Sequence, residues 1–153
     1  KHPSFGIIHG RDCFKHTFES LANTCRNIKN NERLGTIGFG RTGLEYDKIF
    51  KANQSDYGHY FRNLYTITKF IHLSDTFEKQ RYADILRAQL SSHELLLLFY
   101  NGLSDYGKMK FKPLIETYEL LKNMPQNSLI ELEHKHQYNY SAFGEINKPI
   151  EVK

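Results

Sequence analysis

Tryptophan is absent from the 153 residues, cysteine occurs twice and proline four times. Two cysteines cannot build the disulfide framework of a small secreted fold. Cys13 and Cys25 fall in one helical pattern, about 18 Å apart along a helix axis, which is farther than a disulfide tolerates. Both therefore read as free thiols in a reducing compartment. No apolar run approaches the roughly 20 residues of a membrane span, and no signal peptide opens the chain. It starts at Lys1 without Met and stops at Lys153, as a piece cut from a longer protein with a membrane anchor elsewhere would. Catalytic signatures are also missing: there is no HExxH, no paired CxxC, no GxSxG elbow and no Walker loop. No cofactor is expected.

What is present is an ordinary globular composition, 39% hydrophobic and 25% charged, long enough for one domain with a real core. The 11 Phe and 10 Tyr supply much of that core. A net charge of +4 is compatible with RNA, DNA or an anionic membrane surface and requires none of them.

The most telling stretch is Arg81–Leu103, whose second half, Leu95–Tyr100, is apolar on every side. A surface helix shows one apolar stripe, so this stretch predicts the central helix of an irregular, all-α bundle of five to six helices. Its polar members, Arg87, Gln89, Ser91, Ser92, His93 and Glu94, need internal partners. If the helix is continuous, Arg87, Ser91, Glu94, Leu98 and Asn101 share one face, and Arg87 bonds Glu94. Ser91 three residues before Glu94 is also a capping-box signature, so the chain has a second option, to restart there.

Around it, Phe14, Phe18, Leu21, Cys25 and Ile28 step at helical spacing from Arg11 and end at Asn30-Asn31-Glu32. Residues 34–43 hold four glycines, and Gly38–Gly43 matches the dinucleotide fingerprint; with a helix before it and no βαβ unit, it reads as a flexible loop. Leu44–Gln54 is a short helix. Asp56 caps the next, which carries Tyr57, Tyr60, Phe61, Leu64, Ile67 and Ile71. Ser74-Asp75 opens a fourth helix with Phe77, Tyr82, Ile85, Leu86 and Leu90 inward. Phe111–Met124 forms another, with Pro113 in its first turn and Pro125 as its stop. Residues 126–153 read as a loosely structured tail. No strand pairing or internal repeat is evident.

Three constellations could carry chemistry. Arg87 and His93 fit the Arg–His spacing of HEPN ribonucleases, where His moves the 2′-hydroxyl proton and Arg stabilises the phosphorane. Ala88 stands where such motifs place a polar residue, and the structural alternative is an Arg87–Glu94 bond with His93 satisfied in the bundle. His59 and Arg62, one turn apart among aromatics, would form an anion pocket if they faced Arg87; an arginine so placed more often pairs with a carboxylate. Glu131, Glu133, His134 and His136 lack a recognisable third ligand spacing, so a solvated turn is expected and no metal site is assigned.

Tyr60–Tyr65, Leu86–Ser92, Glu94–Asn101 and Phe111–Glu116 together resemble the phage abortive infection protein family (AbiC-like), and Gly10–Asp12, Glu133–Lys135 and Ser141–Gly144 are similar as well. The resemblance implies a bacterial phage-defence protein whose N-terminal transmembrane helices precede a cytoplasmic helical domain, here residues 1–153, tethered to the inner membrane. It implies recognition of a phage or host component and signalling onward, and carries no established active site. On this reading Arg62, Arg87, Gln89, Glu94 and Asn101 form one polar network that shapes the central helix, with His59 beside it. Family members more often carry Tyr where His93 stands, which counts against a required proton carrier. Enzyme activity is not expected, although an RNA-cleaving effector using Arg87 and His93 is the alternative. A purely structural oligomerisation module is the third reading, and it predicts an exposed apolar face. The partners implied are a phage or host protein, RNA under the nuclease reading, and a second copy under the oligomer reading.

Overall fold

The structure, a computed structural model, describes residue 10 and residues 12–145. Among the described residues there are six α-helices, three short 3₁₀ helices and no strand: α1 Asp12–Asn31, α2 Phe39–Ala52, α3 Gln54–Leu73, α4 Lys79–Ala88, α5 Ser92–Leu103 and α6 Lys112–Thr117, then 3₁₀ turns at Gln126–Ser128, Leu132–Gln137 and Tyr140–Phe143. The fold is an all-α irregular bundle. Helix α5 is its axle: α1, α2 and α6 pack on it, α3 packs on α2, α4 and α6, and Tyr140–Phe143 packs on α6.

Every α5 residue from Glu94 to Gly102 is buried, as the absence of a polar face requires. Arg81–Leu103 is nevertheless two helices and not one. The chain breaks between Ala88 and Ser92, and Ser91 restarts it with a complete capping box. The Ser91 Oγ accepts the Glu94 N–H at 3.4 Å, and the Glu94 carboxylate accepts the Ser91 N–H at 2.6 Å. This reciprocal pair satisfies two groups that a helix start leaves open.

Helix α1 buries Phe14, Phe18, Leu21 and Cys25, the stripe its spacing predicts. It ends in a Schellman turn: Leu34 N–H reaches Lys29 O at 2.9 Å and Arg33 N–H reaches Asn30 O at 3.3 Å, with Arg33 at φ 51°. The expected loop over 34–43 stops at Gly38, and Gly40 and Gly43 lie inside α2. Burial of Thr42, Tyr46 and Phe50 on one face outweighs the glycines' poor propensity. Asp56 does not cap α3; it sits within the first turn, and Asn53 is the cap residue.

Three other expectations are corrected. Helix α4 buries Ala83 and Arg87, whereas Phe77, Tyr82 and Ile85, expected inside, are exposed. The Phe111–Met124 helix ends at Thr117 because Glu119 takes a left-handed φ of 52°. Residues 126–145 are also not loose: His134, Tyr138, Ala142 and Phe143 are buried, and the Tyr138 hydroxyl donates to the Phe99 carbonyl at 2.9 Å. Residues 146–153, the lead-in 1–9 and Arg11 lie outside the described residues.

Two measurements check these joints. A Cβ at Gly102 would meet the Tyr138 hydroxyl and lie 2.6 Å from Ile115 Cδ1. Gly102→Ala therefore costs about 1–3 kcal/mol in chemical denaturation. Arg33→Gly should stabilise by about 0.5–1 kcal/mol, since it relieves a left-handed non-glycine residue; a lower denaturation midpoint would contradict this.

Candidate functional site

A groove of about 780 Å³ lies between α1, the start of α5 and the segment Pro125–Glu131. Its base is apolar, with Phe18, Ile37 and Leu96. Arg26, Lys29, His93 and Glu131 stand around it. The pieces meet because α1 turns its Phe18–Cys25 stripe onto α5, which leaves the neighbouring edge of α1 to form one wall. The helix start at Ser92 places His93, half-buried, against the Phe18 ring at a centroid distance of 6.3 Å.

The opposite wall is fixed by a buried relay. Tyr100 Oη accepts the Ile130 N–H at 3.2 Å and meets His134 Nδ1 at 3.1 Å. His134 Nε2 lies 3.0 Å from the Ile37 carbonyl. A carbonyl can only accept, so Nε2 carries hydrogen, and in the neutral ring Nδ1 takes the Tyr100 O–H. Glu131 completes the wall: its Oε1 accepts from Lys29 Nζ at 2.7 Å and from the Ile37 N–H at 3.1 Å. His134 is thus buried inside the wall and not on a solvated turn. Among the described residues no three His, Cys, Asp or Glu side chains gather as a ligand set.

Burial also sets the chemistry. Desolvation pushes the Cys25 thiol above its ordinary range against the opposing Thr42 contact, which makes it a poor nucleophile. Tyr46 and Tyr100 are raised by burial as well and stay as neutral hydrogen-bonding groups.

The residues singled out from the sequence are spread over several places. Arg87 is buried and turns away from Glu94; Nη2 pairs with Asp84 at 2.9 Å and Nη1 donates to the Glu119 carbonyl at 3.2 Å. It latches α4 onto the left-handed turn after α6, while its Nε has no hydrogen-bond partner among the described residues. His93 lines the large groove, which Arg87 does not. The helix break explains the separation, because the shared face requires a continuous helix. Asn101 donates to Tyr46 Oη at 3.1 Å. Arg62 and Asn101 do meet, in a cleft of about 200 Å³ with Lys110 and Tyr106. His59 is exposed on α3, and Gln89 borders a different cleft with Ile67 and Ile85. Of the groove residues, Phe18 was read only as part of the core stripe of α1, and Arg26 and Lys29 were not singled out from the sequence. The only signal for them was the i, i+3 basic pair on one edge of α1.

These features define a class: an all-α domain whose core is closed around one buried helix and whose surface carries a mixed polar and apolar groove. The chain belongs to the phage abortive infection family; the matching family model, described as "Putative phage abortive infection protein", covers residues 51–129, just over half of the chain. That range contains α3 to α6 entire, and with them the blocks Tyr60–Tyr65, Leu86–Ser92, Glu94–Asn101 and Phe111–Glu116. No curated protein and no solved structure matches the chain. Among the described residues no helix is long and apolar enough to cross a membrane.

Glu131 makes this wall sensitive to acid. Burial alone would raise its carboxyl, but the Lys29 and Ile37 hydrogen bonds outweigh burial and hold it below its ordinary 4.5. Its contribution is therefore present above that value and lost as pH falls through the lower folded one. In urea titrations, Glu131→Gln should be less stable than wild type at neutral pH, and the gap should close as pH falls through the lowered folded value. A gap of constant size across that range would contradict the pairing.

Proposed function

We propose that this domain works in phage defence as a recognition module, and that the groove between α1, α5 and Pro125–Glu131 receives a segment of a phage or host protein. The observation that carries this reading is the composition of the groove: an apolar base at Phe18 and Leu96 bordered by Arg26, Lys29, His93 and Glu131. Such a surface suits an extended polypeptide that lays an apolar side chain on the base and hydrogen-bonds at the rim. Lys29 and Glu131 already neutralise each other at 2.7 Å, so the rim offers paired charge in place of the uniform positive field that a nucleic acid favours. An occupant would bridge α1 and the 125–131 segment. Binding that favours one spacing of these two walls shifts their equilibrium, and this is the physical form a signal to the rest of the protein would take. The work would be done on the cytoplasmic side, with the inner membrane reached through a segment other than these helices.

Ala22→Trp fills the groove from the α1 wall and tests the reading. Cells expressing the variant should lose about tenfold or more of their protection in phage plating, with an unchanged circular-dichroism spectrum. Full protection by Ala22→Trp would overturn the assignment. So would cleavage of total RNA by the purified chain that disappears in a folded His93→Ala variant, which would establish the nuclease reading instead.

A further inference from the structure

Helices α3 and α4 enclose a second cleft of about 520 Å³, bordered by Ile67, Phe70, Tyr82 and Ile85. These four side chains are 43%, 74%, 47% and 56% exposed; Leu73 and Phe77, at the end of α3 and in the connection to α4, are 68% and 105% exposed. A large aromatic offers about 150–250 Å², so the six together leave on the order of 800 Å² of apolar surface in water. The largest patch on a typical monomer is about 300–600 Å². A stable protein interface takes about 800 Å² from each partner.

The charges at the start of α4 also bear on the occupant. Arg81 is bridged to Glu78 at 2.9 Å, and Lys79 donates to the His72 carbonyl at 2.7 Å. Cations already answered within the chain give little field to draw a nucleic acid or an anionic bilayer. Self-pairing needs no such field, because an isologous contact sets the same apolar patch on both copies and the exposed area matches what each copy must bury. The face also carries both halves of a joint. Phe77 is a fully exposed knob next in the chain to Thr76, which lines the cleft that would receive it.

We propose that the α3–α4 face pairs two copies of this chain in an isologous dimer. The pairing uses helices other than those that wall the large groove, so it stands or falls independently of the recognition reading. The test is sedimentation velocity of the 153-residue chain at tens of micromolar, in reducing agent so that Cys13 cannot mimic the result. The wild type should sediment as two copies. The double variant Phe70→Glu/Ile85→Glu should sediment as one, and Phe77→Ser should weaken pairing by about tenfold or more, both with the wild-type far-ultraviolet spectrum. A wild-type chain that is monomeric at this concentration overturns the proposal. So does a dimer that survives the double variant with its mass unchanged, or a monomer that cosediments with anionic phospholipid vesicles through this face.

Discussion

Everything in this domain is subordinate to the need to bury α5 on all sides without stranding its polar atoms. Nine consecutive residues, Glu94–Gly102, are out of water, and each hydrogen-bonding group among them that lacks an answer would cost on the order of 1–3 kcal/mol. Glu94 is answered locally by Ser91, whereas the other partners come from distant parts of the chain: His134 and the Ile130 amide for Tyr100, and Tyr46 for Asn101. Helix α2 and the 3₁₀ turn Leu132–Gln137 are held against the axle as much by these bonds as by apolar contact. The close approach at Gly102 then fixes the depth at which α6 and Tyr138 can sit.

This constraint also decides where function can be placed. Burial in this core pushes its tyrosines and Cys25 toward their neutral forms. The surfaces left for interaction are the seams where elements meet: the groove beside α1 and α5, and the apolar face of α3 and α4. The first has walls stiffened by the Tyr100–His134–Ile37 relay and the Lys29–Glu131 pair. The second carries the exposed side chains of Ile67, Phe70, Tyr82 and Ile85. The two lie on different helices, so each can be altered without touching the other.

Much of this was legible in the residues themselves. The Phe14–Cys25 stripe, the all-round apolar Leu95–Tyr100 run and the Ser91–Glu94 capping signature each translate locally into helix, burial and helix start, because periodicity and capping depend only on near neighbours. The blocks of residues that point to the abortive infection family fall in the same helical core. The orientation of α4 was not legible. Its large apolar residues suggested an inward face through Tyr82 and Ile85, yet Ala83 and Arg87 face inward, with Arg87 held by its bond to the Glu119 carbonyl, a residue far off in the sequence. The 126–145 segment lacked periodicity because 3₁₀ turns are short and are held by tertiary bonds, and they leave no 3.6-residue pattern to read.

By itself, then, the order of residues determined that the chain is helical and which stretch must be innermost, since both follow from local spacing and side-chain type, while whole blocks of residues carried the resemblance to the family. Which side chains share a cleft was settled only by the three-dimensional packing. The break at residues 89–91 left Arg87 on Asp84 and put His93 at the groove, and Arg62 and Asn101 came to line one cleft. Those outcomes depend on angles between helices, which arise from how ridges of side chains fit across interfaces far apart in the chain.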